Sequence, residues 1–279
     1  MGLIVSLHFQ SCNRTHKLMP DWRKERGMDP IQIVLMLGAG LFGGAWNAVA
    51  GGATLFTFPA LMAAGLPPVV ANATNYLALL PSNAAALPAY RDELRSVGAG
   101  LVPLLVVSGL GAITGSLLLL VSDPDFFVTL IPFLIMLATA LFAFGETLRK
   151  RLLSISGDAR GRGMIYAALF TVSVYGGYFG AGLGIILLAI AQIMGFTDFH
   201  VANSIKNLLA TSFTILSILV FGIGGLVAWP EALTMMLGST VGGYFGGRFA
   251  KRVNQKVLRG CVIGFGVLLS VVYFARTFG

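Results

Sequence analysis

A single lysine lies inside an otherwise uncharged apolar stretch, and no other residue in this sequence has a clearer potential for chemistry. Lys206 belongs to the segment His-Val-Ala-Asn-Ser-Ile-Lys-Asn that begins at His200, and the next charged residue after it is Glu231. A charged side chain within a long apolar segment is costly, so it marks a candidate functional site that needs a partner. All eleven acidic residues lie at segment ends, in loops or in the N-terminal tail. We therefore predict that a small anionic substrate binds to Lys206.

Two structural interpretations of Lys206 stay open. Its long side chain could follow an apolar surface and place the ammonium group at an interface with water. It could also pair with Asp198, which lies eight residues earlier in the chain. Either arrangement would satisfy the charge without a substrate.

Amide and hydroxyl side chains surround Lys206 and recur earlier in the chain. These further candidate binding residues are Asn203, Ser204 and Asn207 near Lys206, and Asn72, Thr74 and Asn75 in the first part of the sequence. Residues three apart, such as Asn72 and Asn75, share one face of a helix. Their polar groups can replace water around an oxyanion, although such residues also join helices to one another in membranes.

Glycines accompany two short apolar segments, at 53–64 and 183–195. These glycines are Gly51 and Gly52 before the first segment, and Gly182 and Gly184 at the start of the second. A broken helix exposes unpaired backbone N–H groups at its N-terminus, and such groups can hold an anion at membrane depth. We therefore include the four glycines in the predicted substrate-binding site.

The elements that must position these residues are membrane-spanning helices. Of the 279 residues, 56% are hydrophobic and 11% are charged, whereas an average soluble domain has about 25% charged residues. A helix of about 20 residues spans the hydrocarbon layer of a bilayer, and several apolar runs are that long. Apolar and polar residues do not alternate along the sequence as they do in the strands of a membrane β-barrel, so a β-barrel is disfavoured. We predict an all-α, polytopic transmembrane bundle in the lipid bilayer of a cell or inner membrane. The net charge of +8 comes mostly from segments between the apolar runs, so it does not indicate a nucleic-acid partner.

The apolar segments form two series that match each other at one constant offset. In this register Gly51 falls on Gly182, Val70-Ala71-Asn72 on Val201-Ala202-Asn203, and Gly111 on Gly242. The match predicts two tandem structural repeats, each with a short broken or re-entrant helix. The predicted parts are a polar N-terminal tail at 1–29, repeat one at 30–148, a basic cytoplasmic linker at 149–163, and repeat two at 164–279.

The number of membrane crossings stays open at this point. The predicted helices are 31–50, 53–64, 69–89, 97–121 and 125–148 in the first half, and 164–180, 183–195, 201–221, 229–249 and 257–277 in the second. If the short segments cross, each half has five spans and the halves are inverted; otherwise each has four and they run parallel. Both schemes place equal numbers of Lys and Arg inside, so the positive-inside rule does not choose between them. Pro59 and Pro81 are predicted to kink or gate their helices.

Signatures of an enzyme are missing from the sequence. No serine has a histidine nearby in a nucleophile arrangement, and Cys12 and Cys261 lie far apart. The three histidines do not have the spacing of a metal-ligand set. We predict no catalytic residue, no metal and no cofactor, and we make no prediction of the oligomeric state.

Two degenerate copies of one motif flank the short segments. They read Gly51-Gly52-Ala-Thr-Leu-Phe-Thr-Phe-Pro59 with Ala71-Asn72-Ala-Thr74-Asn75, and Gly180-Ala-Gly-Leu-Gly184 with Ala202-Asn203-Ser-Ile-Lys206. In these residues the chain resembles the sulfite exporter TauE/SafE family of membrane transporters. The resemblance implies a permease for sulfite, thiosulfate, sulfoacetate or another sulfur-containing or organic anion. The second half departs from the motif, because Ile190 falls at Pro59 and Ile205 at Thr74, and this implies that the two sites are unequal.

Together these features predict a permease that carries a small anion by alternating access between the two repeats. The alternative is a non-transporting membrane scaffold or assembly protein, in which Lys206 would pair within the protein and the asparagine clusters would pack dry. A membrane-embedded enzyme would need a convergent nucleophile or metal set, which the sequence lacks.

Overall fold

The protein is helical throughout the part that the computed structural model describes, which is residues 28–49, 52–84, 87–155, 162–196, 198–249 and 255–279. These residues form eleven α-helices and two short 3-10 turns and contain no strand, which confirms the predicted all-α class. Most of the predicted N-terminal tail, part of the predicted linker, and Gly51 lie outside the described residues.

The helices follow the predicted order. The first half contains α1 (Pro30–Val49), α2 (Thr54–Ala63), α3 (Pro68–Ala84), α4 (Arg91–Val97), α5 (Leu101–Val121) and α6 (Pro124–Ile155). The second half contains α7 (Arg162–Tyr178), α8 (Leu183–Ile193), α9 (Phe199–Ile223), α10 (Trp229–Phe249) and α11 (Gln255–Phe278). Among the described residues, α1, α5, α6, α9 and α11 contain apolar stretches long enough to span a bilayer, which confirms the multi-pass membrane prediction.

The two short helices each cover about half of a membrane. α2 has 10 residues and α8 has 11, so they are about 15–17 Å long against a hydrocarbon thickness of about 30 Å. A Cβ on Gly43 of α1 would touch Thr57 near the start of α2, and the Ala64 carbonyl after α2 accepts a hydrogen bond from Gln32 Nε2 at 3.0 Å. α2 therefore runs antiparallel to α1, from the depth of Gly43 back to the face of the bundle where α1 begins.

The hydrogen bonds also fix the direction of α3 and α9. We call the face where α1 begins the first face, and the opposite face the second. α3 ends at the second face, because Asn47 near the end of α1 donates to Ser82 Oγ at 2.8 Å and to Asn83 Oδ1 at 2.9 Å. α9 begins there, because Asn203 Nδ2 donates to Tyr90 Oη at 2.9 Å. α3 and α9, which match in the predicted register, thus run in opposite directions, as the five-span alternative requires; the duplication itself stays a prediction.

Glycines bring helices from the two halves into backbone contact. α1 lies along α10, where a Cβ on Gly44 would overlap the backbone of α10 and a Cβ on Gly242 would overlap the Leu41 carbonyl. α5 lies along α7 in the same way, because a Cβ on Gly115 would overlap the Val174 carbonyl. Small residues permit such close approach between membrane helices. There are therefore two tight pairs, and each half contributes one helix to each of them.

Two predicted helix ends are wrong, those of α3 and α6, and one helix was not predicted. The helix predicted at 69–89 ends at Ala84, and α4 follows after the turn Leu87–Tyr90. None of the described residues of α4 is buried, and the helix has Asp92 in its first turn and Arg95 in its last. These charges favour a helix through its dipole rather than through packing. Apolar periodicity does not detect a helix of this kind.

The predicted basic linker is partly helical. α6 continues to Ile155 and so includes the first part of the segment predicted at 149–163. Within this extension the Lys150 ammonium lies 4.0 Å from a Glu146 carboxylate oxygen one turn earlier. Such pairs support an exposed helix by a few tenths of a kcal/mol each, which lets α6 extend beyond its apolar portion.

The glycine contacts lead to a stability prediction. Gly242→Ala should destabilise the protein by about 1–3 kcal/mol, because the new Cβ would overlap the Leu41 carbonyl and force α1 and α10 apart. The matched control is Gly264→Ala in α11, where a Cβ has open space. Alanine favours a helix over glycine by about 0.5–1 kcal/mol, so the control should be unchanged or slightly more stable. Thermal unfolding in detergent measures the stability of both variants. Equal melting temperatures for Gly242→Ala and Gly264→Ala would contradict the packing described.

Candidate functional site

α7 and α8 are separated by a helix break at residues 179–182, which we call the α7–α8 break. Gly180 and Gly182 have φ angles of +74° and +76°, in the left-handed region that glycine adopts at little cost. The Gly180 N–H donates to the Tyr175 carbonyl at 3.1 Å and ends α7, and α8 begins at Leu183. The chain is therefore helical up to Tyr178 and again from Leu183, with a non-helical turn between α7 and α8.

The first turn of α8 presents free backbone donors. Gly182 precedes the helix without a side-chain cap, and the N–H groups of Leu183, Gly184 and Ile185 find no acceptor among the described residues. Gly184 is also exposed. Because the N-terminal end of a helix carries a partial positive charge, this turn is suited to hold an anion.

Lys206 of α9 lies against this turn. Its Cδ is 3.7 Å from the position that a Cβ on Gly184 would occupy, so the Lys206 side chain lies beside the first turn of α8. Lys206 is partly buried, and in the described part of the chain it forms neither a hydrogen bond nor an ion pair. A positive side chain and the positive end of a helix therefore lie side by side, without a carboxylate from the described residues between them.

Asp198 is not the partner of Lys206. Its carboxylate accepts hydrogen bonds from the backbone N–H groups of His200 at 2.8 Å and of Val201 at 2.9 Å, and so caps the start of α9. The Val201 bond first, and the His200 bond with it, lower the pKa of Asp198 below its usual value. Asp198 therefore stays ionised as a helix cap.

At the corresponding turn in the first half, which also has no side-chain cap, the polar side chains bond to one another. Asn75, which matches Lys206 in the predicted register, donates from Nδ2 to Thr54 Oγ1 at 3.2 Å and accepts from the Thr57 hydroxyl at 2.6 Å. The backbone also contributes, because the Leu55 and Phe56 N–H groups donate to the Gly52 and Ala53 carbonyls at 3.1 and 2.9 Å. Two N–H groups in the first turn of α2 thus have acceptors, unlike those in the first turn of α8.

Two other predicted site residues of the first half join helices. Asn72 Nδ2 donates to the Tyr178 carbonyl at the end of α7, at 2.9 Å. Thr74 Oγ1 accepts the Ala228 N–H just before α10, at 3.0 Å. Both side chains are fully buried. They connect α3 to the second half of the protein, so Asn72 Nδ2 and Thr74 Oγ1 already have partners.

The neighbours of Lys206 differ in their availability. Asn203 donates to Tyr90, and the buried Ser204 hydroxyl donates to the Val201 carbonyl within its own helix at 2.7 Å. Asn207 is partly buried and has no hydrogen bond within the described ranges. Asn207 is therefore the predicted amide that is still available near Lys206.

The predicted glycines and prolines are also distributed unequally. Gly182 and Gly184 belong to the site at α8, whereas Gly52 has φ +79° and a Cβ there would overlap the Phe142 ring, so its role is packing. Pro59 lies inside α2 and Pro81 inside α3, near the end of that helix. Their gating role stays a prediction.

Two tyrosines that support the α7–α8 break were not predicted as site residues. Tyr76 Oη donates to the Gly176 carbonyl, and Tyr175 Oη donates to the Ala181 carbonyl at 2.8 Å. A buried tyrosine hydroxyl usually has a hydrogen-bond partner, so the sequence could have indicated that Tyr76 has one. It could not indicate a carbonyl about a hundred residues away, which only the folded arrangement brings close.

A polytopic helical bundle with a broken helix, beside a lysine that has no partner among the described residues, is typical of a membrane transporter. The model of the family described as "Sulfite exporter TauE/SafE" matches residues 36–273. The chain belongs to this family, as its motifs predicted.

Relatives of the chain have similar descriptions. A "Probable membrane transporter protein" of Haemophilus influenzae is 30% identical over 239 residues, covering 81% of this chain and 89% of the relative. The "Probable membrane transporter protein YfcA" of Escherichia coli K12 is 28% identical over 251 residues, covering 87% and 90%. The "Probable membrane transporter protein ORF9" of a Sinorhizobium species is 27% identical over 246 residues, covering 86% and 91%. No solved structure matches the chain.

The unequal halves lead to a second stability prediction. Asn75→Ala should destabilise the protein by about 1–3 kcal/mol, because it removes one buried and one partly buried hydrogen bond at the start of α2. Asn207→Ala removes an amide without a hydrogen bond in the described structure, so its thermal unfolding should match that of the parent. A large loss of stability in Asn207→Ala, with none in Asn75→Ala, would reverse the assignment of structural and available residues.

Proposed function

We propose that this protein carries a small oxyanion across the membrane, with a sulfite-like ion or an organosulfonate as the substrate class. The observation that supports this most directly is the position of Lys206 against the uncapped first turn of α8. The Lys206 side chain and the free N–H groups lie at the same turn, and in our proposal an anion binds to both.

The electrostatics favour an anion over a neutral ligand. The N-terminus of a helix is equivalent to about half a positive charge, and Lys206 adds a full one. Without an anion, Lys206 and the N-terminus of α8 repel each other, whereas an anion between them would attract both. These interactions are strong because the dielectric constant inside the bundle is low. Several N–H donors and an ammonium group also match the several acceptor oxygens of sulfite or a sulfonate. Asn207 adds an amide donor nearby.

Alternating access would require groups of helices to move relative to one another. In our proposal these groups are not the two predicted repeats. α1 is packed onto α10 and α5 onto α7 through glycines that leave no space between the backbones. Moving residues 30–148 as one body against 164–279 would separate both pairs. The bodies that move in our proposal are therefore groups of helices drawn from both halves, with the site at α8 and α9 between them.

The orientation in the membrane follows from charge. Arg91 and Arg95 follow the end of α3 and so lie at the second face. Lys150 and Arg151 near the end of α6 lie at the same face if α5 and α6 cross and return, and three further crossings by α9, α10 and α11 would place Arg276 at the first face. Basic residues concentrate on the cytoplasmic side of membrane proteins. We therefore assign the second face to the cytoplasm, in agreement with the predicted position of the linker.

The test is transport by purified protein in proteoliposomes. The parent should move labelled sulfite, thiosulfate or sulfoacetate, and Lys206→Met should reduce the rate by about tenfold to hundredfold, since a hydrogen bond to a charged group contributes about 1.5–3 kcal/mol. Lys206→Arg should keep part of the activity. Lys150→Met, the same change at an exposed site on α6, is the matched control and should transport like the parent.

Two outcomes would contradict the proposal in different ways. Transport by Lys206→Met at the rate of the parent would remove Lys206 from the site. If the folded parent moves none of the three anions, the assigned substrate class is wrong, and the scaffold interpretation gains support.

A further inference from the structure

One buried acceptor beside the α7–α8 break has no partner in the described structure. Asn72 is fully buried, its Nδ2 donates to the Tyr178 carbonyl, and its Oδ1 accepts no hydrogen bond. A buried polar atom without a partner costs about 1–3 kcal/mol. Its repeat counterpart Asn203 is only partly buried and is not among the residues with such an orphaned atom. The orphaned oxygen is therefore a feature of this location rather than of the motif.

Backbone oxygens next to Asn72 also lack donors. The Tyr178 carbonyl that Asn72 contacts belongs to the last residue of α7, and the next two carbonyls, of Phe179 and Gly180, accept no hydrogen bond within the described ranges. The C-terminal end of a helix carries a partial negative charge. The amide oxygen and the carbonyls one and two residues after Tyr178 thus all lack a donor in the described structure, next to the negative end of α7.

The composition of this group indicates the class of ligand. Its oxygens are neutral, and α3, α7 and α8 contain no Asp or Glu. Divalent cations usually bind through carboxylates, whereas unwound carbonyls and helix C-termini in transporters coordinate monovalent cations. We propose that a sodium ion binds at the end of α7, held by Asn72 Oδ1 together with carbonyl oxygens of the α7–α8 break.

The same break would then hold two ions of opposite sign. The cation lies at the end of α7, and the anion of the proposed function lies at the start of α8, beside Lys206. Each ion would favour binding of the other, because opposite charges attract across a short distance of low dielectric constant. This coupling rests on the proposed function, whereas the cation site itself does not. An inward sodium gradient would then drive uptake of the anion rather than its export.

Thermal unfolding tests the cation site without any substrate. The purified parent should melt about 2–4 °C higher in sodium chloride than in choline chloride at equal ionic strength, because a ligand that binds only the folded state stabilises it. Asn72→Ala should lose this shift. Asn203→Ala, the matched change at the repeat counterpart, should keep it, and so should Lys206→Met, which separates this test from that of the anion site.

A second variant covers the case in which Asn72→Ala does not fold. Asn72→Asp keeps an oxygen at this position and adds a negative charge, so half-maximal stabilisation should need at least about tenfold less sodium than in the parent. Equal melting temperatures of the parent in the two salts would overturn the proposal. A sodium shift that persists unchanged in Asn72→Ala, or a sodium requirement in Asn72→Asp that does not fall, would overturn it as well.

Discussion

The organising constraint in this protein is a positive side chain held in an apolar bundle without a carboxylate from the described residues to neutralise it. Lys206 packs against Gly184 at the uncapped start of α8, so two sources of positive potential lie together. The first half shows how the fold behaves without this charge. There Asn75 takes the matching position of the predicted register and forms neutral hydrogen bonds to Thr54 and Thr57. At these matching positions the first half thus has an amide with partners, and the second half has a lysine without one among the described residues.

The open turn at α8 depends on residues from the other half of the chain. Asn72 and Tyr76, one helical turn apart on α3, bond to carbonyls in the last turn of α7. They set where α7 ends, and the left-handed glycines then determine where α8 begins. Between α5, α7 and α9, Ser116 bonds to Ser217 at 2.8 Å and to the Gly177 carbonyl at 3.2 Å. The geometry of the site is thus fixed by polar contacts between long helices rather than by the site residues alone.

The sequence predicted the fold better than it predicted the site. Long apolar runs and glycine punctuation place the helices to within a few residues, since lipid leaves helices as the main way to satisfy the backbone. The boundary error at Ala84 and the missing α4 arose where exposed charges, not apolar pattern, support the helix. At the site, residue type identified Lys206 but could not separate free amides from occupied ones. Asn72 and Asn207 look alike in sequence, and only the fold brings Tyr178 to one of them.

The pairing of α1 with α10 has a consequence for how the chain assembles. Gly40 and Gly44 face α10, which begins almost two hundred residues later, so the face of α1 that they form stays incomplete until α10 has been synthesised. Contacts between such distant parts of a sequence form slowly. Until then, lipid or the insertion machinery must cover that surface. A truncated chain that stops after α9 would leave the glycine face of α1 without its helix partner. Cellular quality control could recognise the incomplete protein by this exposed face.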